Sequence, residues 1–549
     1  MIHRITGTHV FVNGFGAALW LDVDSKSPEQ QRVAVQNKVT EALSRLGLSG
    51  VCTLSHRQIY TQWVFILDAP VDLLYTACSI LEWSVGLMAE EDFESIRREY
   101  HQEENLRWRE IRRWALQHEV PCVDDEDGLT LGMGMRSQTW SLDALPKIED
   151  LDTNKFHRIP AVYITGTNGK TTTSRMLSAI CQQDERFSGV GQTSTDGVRV
   201  NGDWIEKGDW TGPGAARMIL RDARVDAAIL ETARGGLMRR GLVIDGVDAC
   251  AITNVSDDHL GSWGLQTVYD MAVAKLTVAL GVKQDGGVLL NADCPILLEA
   301  WRSVQSRYPD RKWIVQFFSS HLREGMTLWI EDGWIVHTDL GPVVEISTIP
   351  LSLGGRAQYN VENAMAAIGL ACWMGCSIDG MQKGVCSLVP TADDSRGRSN
   401  WLRYNNADIF IDFAHNPDGI RRVVEMGLQW SAKRKAIVLG QAGDRLDEEI
   451  KGIGYQAAAL NADMYFLKEL PGHSYGRKAS EVVDLLSNAL LEKGVQPAQI
   501  AIAKSDLESA QMAMNWVHKE DLLILLSHEQ LDDVMEMVMS RGATWGYSD

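Results

Sequence analysis

No stretch of this 549-residue sequence is an uninterrupted apolar run of the roughly 18 residues that a membrane-spanning helix needs. The most apolar N-terminal stretch, residues 9–23, is interrupted by Asn13, Gly14 and Gly16 and runs into Asp22. It also lacks a clear cleavage site. We therefore expect a pair of strands here, not a signal peptide, and no membrane partner.

The sequence contains nine cysteines but no C-x-x-C pair, which argues against a zinc site or a dithiol redox motif. Cys372 and Cys376 lie one helical turn apart in an apolar run, and we interpret them as core residues. Scattered thiols without a disulfide framework are typical of reducing compartments, so we expect reduced cysteines and a cytoplasmic protein.

The sequence also lacks a stripe rich in Lys and Arg, and its formal net charge is −20. Proteins that bind nucleic acids depend on basic surfaces. The charge pattern therefore excludes a nucleic-acid partner. It does not exclude a small anionic substrate, because a local basic pocket can exist on an acidic protein.

The chain length predicts about three domains. Residues 1–150 combine a strand-like stretch at 63–69 with helical spacing over 73–118, which indicates an α+β domain. The polar residues 135–160 predict a linker. Two series of strand-then-helix units follow and predict two α/β domains, at 151–392 and 393–549. The predicted strands cover residues 161–165, 226–231, 249–254, 287–291 and 313–318 in the first series and 409–413, 436–439, 464–467 and 522–526 in the second.

Residues 162–176, VYITGTNGKTTTSRM, lie between a predicted strand and a predicted helix. The usual phosphate-binding pattern G-x-x-x-x-G-K-[ST] requires a glycine where this sequence has Ile164, and its first glycine is Gly166. Small residues still let backbone N–H groups and a helix N-terminus approach phosphate oxygens. The pattern indicates Lys170 for the β- and γ-phosphates and Thr171 for Mg²⁺; the alternative is a tight turn with a solvated lysine.

Three further polar residues of the first α/β series are candidates for a functional site. Glu231 ends a predicted strand, where a carboxylate faces the ligand crevice, although it could equally cap a helix. His259 follows the next strand, and a histidine there is more often a hydrogen-bonded loop residue. Lys275 lies in an otherwise apolar helix, which is costly unless the amine is paired, modified or able to reach the surface.

Together these motifs resemble the Mur ligase superfamily, which uses the shorter loop GTNGKTT, followed by a strand-end Glu, TNVSDDHLG and a lysine in an A-x-A-K helix. Further matching motifs are NAD (291–293), GGRAQYNVENAMAA (354–367), DFAHNPDG (412–419) and GDR (443–445). Over residues 160–549 the sequence is most similar to the Mur-ligase half of cyanophycin synthetases. The resemblance implies a three-domain architecture, with a P-loop central α/β domain, a Rossmann-like C-terminal α/β domain and an additional N-terminal α+β domain.

The resemblance also implies a set of functional residues. The residues it implies for phosphate binding are Gly166, Thr167, Asn168, Gly169, Lys170, Thr171 and Thr172. Thr171 and Glu231 would hold one Mg²⁺, while His259 and a carbamylated Lys275 would hold a second. Asn363 would contact adenine, Arg398 the γ-phosphate, and Asp412 and His415 the ribose side. For the amine substrate it points to three residues of the C-terminal domain, Arg445, Glu469 and Arg477.

The implied activity is ATP-dependent amide formation through an acyl phosphate, with release of ADP and phosphate. The substrates would be a small-molecule or peptide carboxylate, such as an aspartyl or glutamyl group, and an amine such as arginine or another amino acid. About 150 residues precede the loop, too few to include an ATP-grasp domain, so we expect no unaided polymerisation of aspartate. Residues 1–150 would select the carboxylate or support a homo-oligomer. Two alternatives stay open: a folylpolyglutamate- or poly-γ-glutamate-synthase-like ligase, and a non-catalytic nucleotide-binding partner of a cyanophycin-type synthetase.

Overall fold

The computed structural model describes residues 1–258 and 260–547, without the side chains of residues 13, 393, 394 and 479. Within the described chain, no helix combines the length and the hydropathy that crossing a membrane would require. All nine cysteines are free.

The N-terminal segment forms a four-stranded antiparallel sheet in the order β1-β2-β4-β3, covered by helices on one face. The strand pair predicted near residue 20 exists, but β2 pairs with a strand that precedes the apolar stretch, in the register Ile2↔Leu19. The predicted strand at 63–69 is β4. The elements are β1 (Ile2–Thr8), β2 (Asn13–Asp22), α1 (Pro28–Leu46), β3 (Thr53–Ile59), β4 (Gln62–Asp68), α2 (Leu74–Ser84), α3 (Phe93–Glu103) and α4 (Leu106–Gln117).

Residues 122–160 connect this sheet to the rest of the chain. They include a three-stranded antiparallel sheet of β5 (Cys122–Asp125), β6 (Gly128–Leu131) and β7 (Gln138–Trp140). The predicted linker at 135–160 is therefore wrong in one respect: its first part is a strand, and its Phe156 is buried in a hydrophobic cluster with Trp108 and Leu129. The polar composition of the segment does not reveal this packing, because only a few separated apolar residues point into the cluster.

An eleven-stranded sheet dominates the middle of the chain, in the order β11-β10-β9-β12-β8-β13-β14-β15-β16-β17-β18. Its inner strands, from β9 to β16, are parallel, and β10, β11, β17 and β18 extend it as antiparallel hairpin strands. The strands are β8 (Ala161–Thr165), β9 (Val190–Ser194), β10 (Gly197–Val200), β11 (Asp203–Lys207), β12 (Ala227–Glu231), β13 (Val247–Ile252), β14 (Val282–Asn291), β15 (Ile314–Ser319), β16 (Leu328–Glu331), β17 (Trp334–His337) and β18 (Gly341–Glu345).

Helices pack on both faces of this sheet, as the crossovers between its parallel strands require. They are α5 (Lys170–Gln183), α6 (Pro213–Arg221), α7 (Arg234–Arg240), α8 (Val268–Lys275), α9 (Thr277–Leu280), α10 (Pro295–Arg307), α11 (Gln358–Met374), α12 (Ile378–Ser387) and α13 (Ala392–Ser395). Strands β12, β8 and β13 are neighbours, so the loops after their carboxyl ends meet at one edge. That edge holds the site described below.

The C-terminal part forms a seven-stranded sheet in the order β23-β22-β21-β24-β20-β19-β25, parallel from β23 to β20. The strands are β19 (Asn400–Tyr404), β20 (Ala407–Asp412), β21 (Lys435–Leu439), β22 (Met464–Lys468), β23 (Ile500–Ala503), β24 (Leu522–Leu526) and β25 (Thr544–Trp545). The helices are α14 (Pro417–Leu428), α15 (Asp447–Ala458), α16 (Ala479–Glu492), α17 (Asp506–Trp516) and α18 (Leu531–Ser540). The α/β fold class predicted from the sequence is confirmed, whereas the boundaries 1–150, 151–392 and 393–549 stay predictions.

Candidate active site

The loop of residues 166–169 connects the buried end of β8 to the first turn of α5, which begins at Lys170. Two glycines let neighbouring side chains lie against its backbone. A Cβ at Gly166 would lie 1.9 Å from the Thr253 hydroxyl, and a Cβ at Gly169 would lie 2.1 Å from the Asn363 amide oxygen. Gly169 also adopts a φ of +84°, which favours glycine. The short spacing of this loop therefore fits its surroundings, and Ile164 belongs to the buried strand.

Asn168 fixes the loop to both neighbouring sheets. Its backbone N–H donates to the Asn254 side chain at 2.9 Å, and its carbonyl accepts the Thr253 hydroxyl at 2.6 Å. Its side-chain amide donates to Asn416, which caps α14 of the C-terminal part, and to Asp418 in the first turn of that helix, both at 3.1 Å. The loop 166–169 thus lies where the central part of the chain contacts the C-terminal part.

Lys170, Thr171 and Glu231 are brought together at the carboxyl edge of β8 and β12. One Glu231 oxygen accepts the Thr171 hydroxyl at 3.1 Å and the Thr195 hydroxyl at 2.8 Å. Its other oxygen, Oε2, is buried without a hydrogen-bond partner among the described residues. Burial raises the pKa of Glu231, and the nearby Lys170 cation partly opposes that rise. Burial also lowers the pKa of Lys170, whose ammonium donates to the Thr167 carbonyl at 2.9 Å.

Lys275, at the end of α8, is buried and reaches the same loop from the other side. Its ammonium donates to the Gly166 carbonyl at 2.8 Å. Burial, reinforced by the Lys170 charge, holds the pKa of Lys275 well below its ordinary value. The long side chain therefore does not extend to the surface. His259 lies outside the described residues.

The remaining predicted nucleotide residues come from α11 and from the segments next to β19 and β20. Asn363, on α11, lies against Gly169 and donates its amide to Asn360 at 3.1 Å. Asp412, at the end of β20, is buried and accepts the Ser399 N–H at 2.7 Å. Burial raises the pKa of Asp412, and the Arg398 guanidinium partly opposes the rise. His415 is held by the Phe413 carbonyl at 3.0 Å, and burial lowers its pKa. Their assignments to adenine, γ-phosphate and ribose stay predictions.

The three residues predicted for the amine substrate are only partly brought together. Arg477 donates to the Arg445 carbonyl at 2.9 Å and to the Asp447 carboxylate at 2.6 Å. Arg445 lies 3.8 Å from Asp258 in the loop after β13, so it connects the two large sheets. Glu469 is half-buried after β22, and its N–H donates to Ala503. None of the three lines the main cavity in the described chain.

That cavity has a volume of about 860 Å³ and unites most of the predicted residues. Its walls include the whole loop 166–172 as well as Lys275, Asn363, Arg398, Asp412 and His415. Thr195, which orients Glu231, has no motif that reveals it in the sequence. Asn254 lies within the TNVSDDHLG motif, but its contact to the loop requires the pairing of β13 with β8. The cavity also contains a group of arginines that the sequence did not single out: Arg4, Arg217, Arg239 and Arg240.

Two family models match the chain. The Mur ligase middle domain matches residues 164–371, and the glutamate ligase domain of Mur ligases matches residues 397–528. Together they cover more than half of the 549 residues. They include every predicted site residue from Gly166 to Arg477.

Curated relatives agree with this match. A cyanophycin synthetase from Synechocystis sp. is 34% identical over 394 residues, which are 70% of this chain and 44% of the relative. A UDP-N-acetylmuramoyl-L-alanyl-D-glutamate–2,6-diaminopimelate ligase from Chlamydia pneumoniae is 26% identical over 55% of this chain and 62% of the relative. The chain thus spans less than half the length of the cyanophycin synthetases it matches.

Among solved structures, Escherichia coli FolC in complex with DHPP and ADP has a TM-score of 0.50 at 17% identity. The alignment covers 70% of this chain and 89% of that one. Mycobacterium tuberculosis folylpolyglutamate synthase complexed with ADP also has a TM-score of 0.50, at 16% identity, over 70% of this chain and 90% of that one. At these identities the likeness concerns the fold.

Proposed function

This chain belongs to the Mur ligase superfamily, and on that premise we propose that it is an ATP-dependent amide ligase that releases ADP and phosphate. It joins a carboxylate, such as an aspartyl or glutamyl group, to an amine such as arginine or another amino acid. The observation that carries the proposal is the convergence of Lys170, Thr171 and Glu231 at the loop after β8. Thr171 donates directly to Glu231 at 3.1 Å.

Nucleotide binding follows from the shape and charge of this loop. Its glycines leave the backbone accessible, and the N-terminus of α5 presents N–H groups toward the cavity. Lys170 adds a cation that the buried site cannot easily solvate, so an anionic phosphate would stabilise its charged form. Arg398, which lines the same cavity, lies near enough for its charge to act on the pKa of Lys170, Glu231 and Asp412.

The donor set also fits Mg²⁺. A hard cation of this kind takes oxygen ligands and is usually shared between a few protein groups and nucleotide phosphates. Thr171 and Glu231 would hold the ion, which would give a partner to Oε2 of Glu231, a buried oxygen that has none among the described residues. When bound, Mg²⁺ supplies positive charge to the phosphate oxygens during phosphoryl transfer.

We propose, further, that Lys275 carries a carbamate and that His259 and this carbamate hold a second Mg²⁺. The resemblance to the superfamily supports this assignment, as does the burial of an amine whose hydrogen bond among the described residues goes to the Gly166 carbonyl. Carbamate formation joins the amine nitrogen to the carbon of CO₂ and releases one proton. Replacement of Lys275 by Ala should remove the carbamate resonance that ¹³C-labelled bicarbonate gives in the wild-type NMR spectrum.

The chemistry takes place in two steps. A carboxylate oxygen attacks the γ-phosphorus of ATP, which breaks the bond to ADP and forms an acyl phosphate. The amine nitrogen then attacks the acyl carbon, phosphate leaves, and the nitrogen loses a proton. Oxygens gain negative charge in both steps, so the protein contributes mainly positioning and electrostatic stabilisation, through Lys170, Arg398 and the loop amides.

Phosphate release across a matrix of substrates tests the proposal. The carboxylates are aspartyl and glutamyl peptides, folate-type glutamates and free diacids; the amines are arginine, lysine and other amino acids. We expect ADP and phosphate to form only when both substrates are present. A folate-type acceptor as the best carboxylate would favour the folylpolyglutamate-synthase-like alternative.

The Lys170→Ala variant is the control for this screen. It should lose turnover by at least ~1,000-fold, because the cation that stabilises the transferring phosphate is gone. Its circular dichroism spectrum should match that of the wild type. Undiminished turnover in this variant, or release of AMP and pyrophosphate by the wild type, would contradict the proposal. An absence of turnover with every pair would favour a non-catalytic partner.

A further inference from the structure

The main cavity extends beyond the nucleotide loop into a region lined by Arg4, Arg217, Arg239 and Arg240, which we call the arginine lobe. These residues come from three elements, β1, α6 and α7, that are far apart in the chain. The lobe belongs to the same cavity as Lys170 and Lys275. A molecule bound there would therefore lie within reach of the phosphate loop.

Strand β1 is fixed against α7 by contacts that leave little freedom. The Thr6 hydroxyl donates to the Arg240 carbonyl at 3.4 Å, and the Arg240 guanidinium donates to the Arg4 carbonyl at 3.1 Å. Just beyond α7, the Leu242 N–H donates to the Thr8 carbonyl at 2.8 Å. The N-terminal sheet thus forms a wall of the cavity, and Arg4 is held in that wall.

The lobe contains more positive than negative charge. Arg4 lies 3.3 Å from Glu126, whose side chain is 55% exposed. Arg217 lies 3.5 Å from Asp125, but Asp125 is shared with Arg221 at 2.9 Å. Arg239 is exposed to the cavity. The four guanidinium groups of the lobe thus have two close carboxylate partners, Glu126 and Asp125, and Asp125 also pairs with Arg221 outside the cavity.

This excess is unusual in a protein whose net charge is −20. Like charges gathered on a partly desolvated wall repel one another, and this repulsion destabilises the fold unless an anion is present. Burial and the neighbouring Arg4 and Arg239 charges lower the pKa of Arg240, consistent with such crowding. Arginine is also the side chain best suited to paired hydrogen bonds with carboxylate or phosphate oxygens.

We propose that the arginine lobe binds the remote part of the carboxylate substrate, and that this part carries at least two anionic groups. The inference rests on the proposed function for the position of the reacting carboxylate near Lys170. The anionic groups are either further carboxylates, as in an acidic peptide, or phosphates, as in a nucleotide-linked acid. Both present the oxygen pairs that guanidinium groups bind.

A binding titration tests whether the arginine lobe binds anionic groups, and it requires no enzymatic turnover. A fluorescently labelled hexa-aspartate is titrated into the full-length protein at saturating Mg²⁺ and AMP-PNP, so that the phosphate loop is already filled. Unlabelled hexa-aspartate, hexa-asparagine and inorganic diphosphate then compete with the probe. Inorganic diphosphate is also titrated directly by calorimetry. Either hexa-aspartate or diphosphate should bind, hexa-asparagine should not compete, and the affinity should fall as salt rises.

Two variants locate the binding. Arg239→Gln removes an exposed guanidinium and should not affect folding, whereas Arg4→Gln removes one that is held in the wall. Each should weaken binding of the anionic probe about tenfold, as the loss of a charge-assisted hydrogen bond predicts. Arg224→Gln is the matched control, because Arg224 is 58% exposed, pairs with Asp222 and does not line the cavity.

Binding of hexa-aspartate alone would identify an acidic peptide, and binding of diphosphate alone would identify a phosphate-bearing acid. Failure of both probes to bind, or unchanged affinity in Arg239→Gln and Arg4→Gln, would overturn the proposal. Binding of AMP-PNP is measured separately. If the wild type fails to bind AMP-PNP, the proposed function fails, while the result with the anionic probes still decides the role of the lobe.

Discussion

The two halves of the cavity are built in different ways. The nucleotide half is built around a backbone loop at the ends of adjacent parallel strands, with Glu231 and Lys275 buried beside it. The arginine lobe consists of long side chains from β1, α6 and α7, with one of them, Arg239, exposed. Rigid, buried groups suit a reaction that must be positioned within fractions of an ångström. Long cationic side chains suit recognition of an anionic ligand.

Replacement of Glu231 by Gln should affect the nucleotide half most strongly. The amide keeps the shape of the side chain and an oxygen that can accept the Thr171 and Thr195 hydroxyls, but it removes the negative charge that Mg²⁺ requires. We expect kcat to fall by at least ~100-fold with every carboxylate that the wild type accepts. Phosphate release measured over a range of Mg²⁺ concentrations checks this.

A thermal melt of Glu231→Gln controls for folding. A melting temperature within a few degrees of the wild type would assign the loss of activity to the missing charge. Full activity of the variant at ordinary Mg²⁺ concentrations would show that Glu231 is not a ligand of Mg²⁺.

Replacement of Arg217 by Gln should weaken binding of the carboxylate substrate without weakening binding of ATP. Arg217 lines the lobe and donates to the Asp124 carbonyl at 3.2 Å. Its loss should raise the KM of the carboxylate about tenfold and leave the KM of ATP within about twofold, since one charge-assisted contact is removed. Steady-state kinetics with each substrate varied in turn measures this. Equal changes in both KM values would mean that the two halves do not act separately.

Replacement of Asn168 by Ala should give the smallest effect. The substitution keeps the backbone contacts of the loop to Asn254 but removes the side-chain bonds to Asn416 and Asp418. Loss of this link between the loop and α14 should raise the Kd of the nucleotide about fivefold, in line with the net contribution of about one hydrogen bond. Nucleotide titration by calorimetry provides the measurement. No change would show that the link is not needed for nucleotide binding.

The sequence was sufficient for the parts of the fold that local patterns determine. Strands β8 and β24 were predicted at their observed bounds, because strands buried on both faces of a parallel sheet are continuous apolar runs. The sequence does not reveal strand β11, because its two apolar residues, Trp204 and Ile205, are adjacent and do not alternate with polar ones, and all five of its residues are exposed. The sequence predicts a linker at 135–160, because the packing of this segment depends on a few separated apolar side chains.

The residues of the candidate site likewise fall into those that local sequence motifs predict and those that only the folded chain brings together. Lys170, Thr171 and Glu231 were predicted because their motifs lie within or directly after single strands. Thr195 and the arginines of the lobe could not be predicted, because only the folded chain brings residue 4 next to residue 240. Residue types that recur all along an ordinary sequence, such as Arg and Thr, indicate a site only when their positions in space are known.

Formation of an acyl phosphate is the central chemical claim, and oxygen transfer tests it most directly. The carboxylate that supports the fastest turnover is labelled with ¹⁸O in both oxygens and is converted with ATP and the amine. The released phosphate is then analysed by mass spectrometry or by ³¹P NMR. If the carboxylate attacks the γ-phosphorus, each turnover places one ¹⁸O atom in inorganic phosphate. Phosphate that contains no ¹⁸O, or label found in AMP, would contradict the claim.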